Sequence, residues 1–314
     1  MRDTVIGNIL TDWKEDYALD FGGRDLHLAH SLHKSEMFSD EALVRLLEYS
    51  RRENYHVKAT DEGGTGNREG DLGDLSGADI LKAVRKGKIW INIQHPEAVD
   101  SAYGEMIADM YREFEARVPG LQTFKHMSTI LISSPKVRVR YHADVPGQML
   151  WQIRGSKRVW VYPNQAPYLR QDALEKLVLK RLHETDMPYD TGFDQGATVY
   201  DLEPGYMLYW PLNCPHRVEN HDCMNVSVTT EHWTRELRNI YAVNYANGLL
   251  RNAGLRNLRR QRSGPGMMAK LAFAGAAKFS GMTRSAQKPY RIDFRVDPDS
   301  PTGYRDIDAY EFRK

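Results

Sequence analysis

The sequence contains only two cysteines, Cys214 and Cys223, among 314 residues. This number is too small for the disulfide framework that stabilises many secreted proteins. No apolar run reaches the roughly 18 residues that a membrane helix needs. The first residues, MRDTVIGNILTDWKED, lack the apolar centre of a secretory signal peptide. These absences argue against a disulfide-rich or membrane-spanning protein, and we expect a cytoplasmic protein with no transmembrane segment.

Acidic residues are absent from residues 237–292, although the whole chain has 42 of them. The same stretch carries 11 lysines and arginines, and subtracting 11 from the net charge of +1 leaves −10 for the rest. We therefore expect a basic region that is a solvated face, a dimer contact, a membrane-surface helix or a nucleic-acid patch. Nucleic acid is the least expected of these, because aromatic residues are scattered and no basic motif is repeated.

A phosphate-binding loop is also absent. The polar, glycine-rich residues 61–77 (DEGGTGNREGDLGDLSG) have no Gly-Lys-Ser/Thr ending and follow no strand pattern. We expect a plain surface loop there, with an active-site lid as the alternative.

Helix and strand patterns divide the chain into three parts. Before residue 123, Ser39 or Asp40 precedes one helix pattern and Ser76 another, IWINIQ indicates a strand, and residues 97–117 have helical apolar spacing. From about 123 to 233, short β-branched and aromatic runs dominate, with one helix over 171–184. Two of these runs flank the turn Gly155-Ser156, and many short strands joined by tight turns favour a jelly roll.

We therefore predict a mainly β protein with α additions. Residues 1–122 form an α/β extension, residues 123–236 the β core, and residues 237–314 a basic helical region.

The strongest chemical signal is His142 with Asp144. Side chains alternate along a strand, so the two project from one face of the run Val137–Asp144. His216 follows another strand pattern, YMLYW. Two histidines and one carboxylate on a β scaffold match the facial triad of non-haem Fe(II) oxygenases. A bare His-X-Asp is common, and the plain alternatives are an exposed strand histidine, a turn aspartate and a loop histidine.

A family resemblance covers residues 125–233. HADVPGQMLWQIRGSKRVWVYP, followed by GYMLYWPLNCPHRVEN, resembles the cupin-like branch of the jumonji-C oxygenases. That branch includes the asparaginyl hydroxylase called factor inhibiting hypoxia-inducible factor. The resemblance implies a double-stranded β-helix (cupin or jelly-roll) core, with Fe(II), 2-oxoglutarate and O2 as the reacting partners.

The resemblance also assigns residues. The family's metal ligands fall on His142, Asp144 and His216, and the lysine that pairs with the distal carboxylate of 2-oxoglutarate falls on Lys157. A dianion bound partly out of water needs such a fixed cation. Other branches place an arginine on the strand after the distal histidine, and residues 223–233 have none.

This sequence departs from the family pattern at several positions. Val139-Arg140 stands where a Ser or Thr often helps to hold 2-oxoglutarate, so Thr129 and Tyr141 are the remaining candidates. Gln148 and Glu231-His232-Trp233 also differ from the asparaginyl hydroxylase. Arg138, Arg140 and Gln148 are candidates for substrate contact, with an exposed charge pair as the alternative for the two arginines.

Other polar residues have plainer interpretations. His27, His30 and His33 lack nearby cysteine or carboxylate ligands, so we expect ordinary, partly buried histidines. We expect Cys214 to be a small buried residue, Asn220 to hold a loop, and Arg158 to face solvent.

The expected function is an Fe(II)/2-oxoglutarate-dependent hydroxylase of a protein side chain or a small amino-acid-like metabolite. The alternatives are a non-catalytic cupin-like binding or regulatory protein, and a metal cupin enzyme without cosubstrate. Related oxygenases often dimerise through helices after the core, which favours a homodimer through the C-terminal region.

Overall fold

The structure, a computed structural model, describes residues 9–60, 67–281 and 289–314. The strands are β1 Leu26–Ala29, β2 Tyr55–Thr60, β3 Asn67–Asp71, β4 Ile89–Gln94, β5 Phe124–Ser133, β6 Arg138–His142, β7 Gly147–Arg154, β8 Lys157–Val161, β9 Thr198–Leu202, β10 Tyr206–Tyr209, β11 His216–Asn220, β12 Asn225–Trp233, β13 Tyr290–Val296 and β14 Tyr304–Phe312. The α-helices are α1 Asp16–Asp20, α2 Asp40–Tyr49, α3 Gly77–Lys86, α4 Ala102–Arg117, α5 Gln171–Val178, α6 Arg235–Asn252 and α7 Gly264–Phe279. Short 3-10 turns occupy Leu32–Lys34, Glu36–Phe38, Arg52–Asn54, Pro96–Ala98, Glu184–Asp186 and Thr191–Gly196.

Eight consecutive strands, β5 to β12, form a double-stranded β-helix. β10, β7, β12 and β5 lie side by side within a ten-stranded sheet, whereas β6, β11, β8 and β9 form a separate four-stranded sheet. The chain therefore passes repeatedly from one sheet to the other, and the predicted cupin-type core is confirmed. Apolar side chains from both sheets, including Leu150, Val159 and Leu208, pack together between them.

The outer face of the large sheet carries the predicted N-terminal additions. Ser39 and Ser76 cap α2 and α3, since their hydroxyl oxygens accept the backbone N–H groups of Ala42 and Asp79 at 3.2 Å. The apolar face predicted for α4 is buried against the apolar cluster on this outer face of the large sheet, where Phe114 is fully buried. None of the helices in the described ranges is long and apolar enough to cross a membrane.

Two parts of the chain correct the sequence prediction. The stretch expected as a surface loop contains β3 at residues 67–71, while residues 61–66 lie outside the described residues. The C-terminal region contains α6 and α7 as expected, but its last part forms β13 and β14 instead of helix. β13 runs parallel to β3 and extends the large sheet. Both segments are therefore strands because they pair with a distant part of the chain. The division at residues 122 and 236 stays a prediction.

Candidate metal centre

His142 and His216 face each other across the small sheet. The two are register partners on β6 and β11, and their ring centroids are 4.1 Å apart. Asp144 follows the end of β6, and its Oδ2 lies 3.4 Å from His216 Nε2. One ligand atom from each of the three lies within 4.8 Å of the others. The group can therefore surround one metal ion.

Backbone carbonyls fix the orientation of both imidazoles. Nδ1 of His142 lies 2.7 Å from the Arg140 carbonyl oxygen, and Nδ1 of His216 lies 3.2 Å from that of Cys214. When Nδ1–H donates to these oxygens, each Nε2 keeps its lone pair for a metal. Such outer hydrogen bonds set the tautomer of metal-binding histidines.

The aspartate is held from two sides. Asn213 Nδ2 donates to the backbone oxygen of Asp144 at 2.6 Å. With its amide nitrogen turned toward the carboxylate, Gln148 donates to both oxygens of Asp144, to Oδ2 and, at 2.8 Å, to Oδ1. Gln148, a candidate for substrate contact, thus lies directly against the carboxylate of the metal group.

The electrostatics of the group favour a bound cation. Burial raises the pKa of Asp144 to about 7 against the opposing effect of His142, and burial also lowers the pKa of His216. The protein alone therefore disfavours charge on either residue, and a divalent ion would stabilise the carboxylate and the neutral imidazole together. Two nitrogens and one carboxylate suit iron and similar transition metals.

Lys157 lies at the start of β8 and is only 4% exposed. Burial lowers the pKa of its ammonium to about 7. Within the described ranges no carboxylate pairs with it and no hydrogen bond of Nζ is formed. A buried cation without an internal counter-ion is costly unless an anion joins it, so the residue fits the acidic end of a cosubstrate.

Thr129 is brought toward the same interior. It pairs with Thr229, which in turn pairs with Leu150 in the apolar cluster between the sheets. Thr129 is 8% exposed, and its role in holding a cosubstrate stays a prediction.

Tyr141 corrects the sequence interpretation. Its hydroxyl donates to the Tyr168 carbonyl at 2.7 Å, and its ring packs against Tyr162 and Tyr189. Because it is adjacent to His142 on β6, it projects to the opposite side of the sheet, away from the metal-side group.

Arg138 also differs from expectation. Two residue steps on β11, from His216 to Val218, match three on β6, from His142 to Val139. This irregularity is a β-bulge, which reverses the alternation of side chains along β6. Arg138 is 73% exposed and pairs with Glu219 at 2.9 Å. Arg138 therefore belongs to an exposed charge pair, which was the alternative interpretation.

Arg140 lies within this bulge and contributes its carbonyl to His142. Its side chain is partly exposed and has no ion pair with the residues the structure describes. Its contact with a substrate stays a prediction.

The plainer interpretations agree with the structure. Asn220 Nδ2 donates to Ser133 Oγ and to the Ser134 carbonyl, so it holds the loop after β5. Arg158 pairs with Asp201 at 2.8 Å, and Cys214 is buried. Across the described ranges, His142, Asp144 and His216 are the one group suited to a metal ion.

Three residues of the site carry no role in the sequence interpretation. Trp210 packs its ring 4.4 Å from that of His216, and Asn213 binds Asp144 as described above. Glu231 is the register partner of Gln148, and burial together with the Asp144 charge raises its pKa to about 7. In the sequence, alternation along the strand VSVTTEHW could have placed the Glu231 carboxylate on the inward face. Alternation alone does not indicate its distance from Asp144.

A model of the cupin-like domain matches residues 41–236. The chain belongs to the cupin-like domain family. No curated protein matches it closely enough to count as a relative. The resemblance to the asparaginyl hydroxylase branch in particular stays a prediction.

One solved structure shares the fold of this chain, and two further similar structures have lower TM-scores. An X-ray structure of Escherichia coli ycfD is 16% identical, with a TM-score of 0.50, and the match covers 92% of this cupin-like chain and 75% of the other. A structure titled as the Escherichia coli ribosomal oxygenase YcfD has 16% identity, a TM-score of 0.46 and coverages of 92% and 74%. Another, with cobalt and 2-oxoglutarate, has 15% identity, a TM-score of 0.46 and the same coverages.

Proposed function

We propose that this cupin-like protein is an Fe(II)- and 2-oxoglutarate-dependent oxygenase. His142, Asp144 and His216 hold the iron, and Lys157 binds the distal carboxylate of 2-oxoglutarate. The observation that carries the proposal is the combination of a three-residue metal group with a buried lysine that pairs with no carboxylate among the residues the structure describes. A metal group alone would fit many cupins.

The cosubstrate, the metal ligands and the apolar residues have separate roles in the proposed reaction. When bound, iron and 2-oxoglutarate supply the oxidising chemistry, in which O2 gives one oxygen atom to the substrate and one to succinate, with loss of CO2. His142, Asp144 and His216 would hold the metal, and three protein ligands would leave it able to bind a cosubstrate as well. Trp210 and the aliphatic side chains between the sheets keep the interior largely free of water.

Lys157 supports this function over its two alternatives. A metal cupin enzyme without cosubstrate has no use for an unpaired cation buried in the barrel. A non-catalytic binding protein has no need to hold both imidazole tautomers for a metal. The substrate is a protein side chain or a small amino-acid-like metabolite. We extend the proposal to a cytoplasmic location and a homodimer formed through the C-terminal helices.

The test is metal content together with succinate formation. After anaerobic loading with Fe(II), the His142→Ala variant should lose its iron and form no succinate from 2-oxoglutarate and O2. His27→Ala is the matched control, because His27 is exposed on β1 and lies outside the metal group. Full iron content and full turnover in His142→Ala would refute the assignment of the metal ligands. Iron binding without any 2-oxoglutarate turnover in the unmodified protein would favour the alternatives.

A further inference from the structure

The connection between α6 and α7 presents several arginines. Residues 254–263 are irregular, contain no acidic residue, and include arginines at 256, 259, 260 and 262. Buried and basic side chains hold this segment in place. Lys270 Nζ donates to the Arg259 carbonyl and to Gln261 Oε1, both at 2.5 Å, and Asn247 Nδ2 donates to the same carbonyl at 3.3 Å. The arginines thus extend from a segment with a fixed backbone.

A cavity of about 190 Å³ lies between this segment and α6. Arg260, Gln261 and Arg262 form one wall, and α6 contributes Asn244 and an apolar floor of Ile240 and Val243. Asn244 is only 2% exposed, and its Oδ1 accepts from Gln171 at 3.0 Å, so Nδ2 is its remaining donor group. The Oε1 of Gln261 is likewise engaged by Lys270, which leaves its Nε2 to donate. The walls therefore offer donors from two guanidinium groups and two amides.

The charge of the cavity is weakly compensated. Arg260 forms no ion pair with any residue in the described ranges. Arg262 reaches Glu236 at 3.9 Å, but both side chains are at least 70% exposed, and such pairs contribute little. Asn164 also lines the cavity and donates its Nδ2 to the Leu212 carbonyl at 2.9 Å, so its oxygen is the one acceptor of this wall. The cavity thus favours an anion that also carries a donor group.

Phosphate is the anion that fits this arrangement. Guanidinium groups bind phosphate oxygens through paired, charge-assisted hydrogen bonds, and amide N–H groups supply further donors. The volume accommodates a phosphate with part of an attached group, whose hydroxyl can donate to Asn164. We propose that this cavity, which shares no residue with the metal centre, binds the phosphate group of a phosphorylated molecule.

The same chemistry can come from a small phosphorylated ligand or from a nucleic-acid backbone. Titration calorimetry of the full chain distinguishes them with three probes: inorganic phosphate, adenosine monophosphate and a single-stranded oligouridylate. The variant Arg260→Gln/Arg262→Gln removes the two guanidinium groups. The matched control, Arg238→Gln/Arg256→Gln, removes the same charge from exposed positions that do not line the cavity.

We expect one molecule of inorganic phosphate or adenosine monophosphate to bind per chain, and the first variant to weaken this binding by about tenfold or more. The control should bind like the unmodified protein. Tighter binding of the oligouridylate than of adenosine monophosphate, lost in the same variant, would support the pocket with a nucleic-acid ligand. The proposal is overturned if no probe binds, or if both variants weaken binding equally, since general charge attraction would then explain the result. The titrations need no iron, so their outcome is separate from that of the oxygenase test.

Discussion

Lys157 shows how a single residue can be costly for the fold and useful for binding. It pairs in register with Leu202 on one side and Asn220 on the other, both buried, and is itself only 4% exposed. Burial lowers its pKa from the usual 10.5 to about 7. A depressed lysine pKa means that the charged form opposes folding, and stability from this group rises with pH between those two values. Under the proposed function, an anion bound at this lysine would offset the cost.

The affinity for 2-oxoglutarate should therefore depend on pH through Lys157. Below about pH 7 the ammonium is charged and binding should be strongest. Above it, the free protein loses this proton, and the dissociation constant should rise by up to about tenfold per pH unit. Anaerobic titration of the metal-loaded protein with 2-oxoglutarate over this pH range measures the effect.

Arginine provides the control, because it stays charged throughout this range. Lys157→Arg should show a flat dependence on pH, whatever its absolute affinity. Arg158→Gln, at the neighbouring exposed position, should keep the dependence of the unmodified protein. A slope that persists in Lys157→Arg would assign the titration to another group.

At the residue scale the sequence predicts which side chains come together better than it predicts their surroundings. Strand alternation places His142 and Asp144 on one face, and the structure brings both beside His216. Lys157 was assigned by the family resemblance, and its role stays a prediction. Tyr141 is adjacent to His142, so strand alternation alone places it on the opposite face, whereas Arg138 was misplaced for a different reason. An inserted residue in β6 reverses the alternation on which the Arg138 assignment depended, and nothing in the sequence VRVRYH indicates a bulge.

The hairpin of β7 and β8 is the element that positions Lys157. Its turn contains Gly155, which has a φ of +70°. A Cβ at this position would overlap the backbone oxygen of Met224 on the neighbouring loop. Only glycine therefore fits both the turn and the close approach.

Replacing Gly155 by Ala should destabilise the protein by about 3 kcal/mol or more, from backbone strain and this overlap together. The affinity for 2-oxoglutarate should fall as well, since the turn leads directly into Lys157. Urea denaturation and ligand titration measure the two effects.

Gly120→Ala is the matched control for this element. Gly120 also has a positive φ, +78°, but no atom lies within 4 Å of an added Cβ. It should cost about 1 kcal/mol and leave ligand affinity unchanged. Equal losses of stability in the two variants would show that the overlap with Met224 contributes nothing to the effect.

The errors at the scale of elements have a common cause. β3 (NREGD) has no apolar side chain, and its partner β13 lies more than 200 residues later in the chain. The alternation Tyr290, Ile292, Phe294 and Val296 is itself a strand signal. The prediction of a helical region over residues 237–314 did not take this alternation into account, whereas the core strands were predicted because turn signals and local alternation agree there.

At the scale of the whole molecule, distant parts of the chain complete one apolar core. The cluster on the outer face of the large sheet runs from Ile9 to Val296 and includes residues of α2, α3, α4 and β13. Phe294 is fully buried, and its ring lies over Gly70 and 4.8 Å from the ring of Tyr304. The last strands are therefore part of the core that supports the barrel with the candidate metal centre.

Phe294→Ala should consequently destabilise the entire protein, by the roughly 3–5 kcal/mol that removal of a buried phenylalanine costs. Phe279→Ala makes the same change at a side chain that is 97% exposed, and it should stay within about 0.5 kcal/mol of the unmodified protein. Urea unfolding followed by circular dichroism and by tryptophan fluorescence gives both values. If the core is continuous, the urea midpoints of the two signals should fall together in Phe294→Ala. An earlier circular-dichroism transition with an unchanged fluorescence transition would instead show that the C-terminal strands unfold separately. The stability of the barrel would then come from the residues between the two sheets alone.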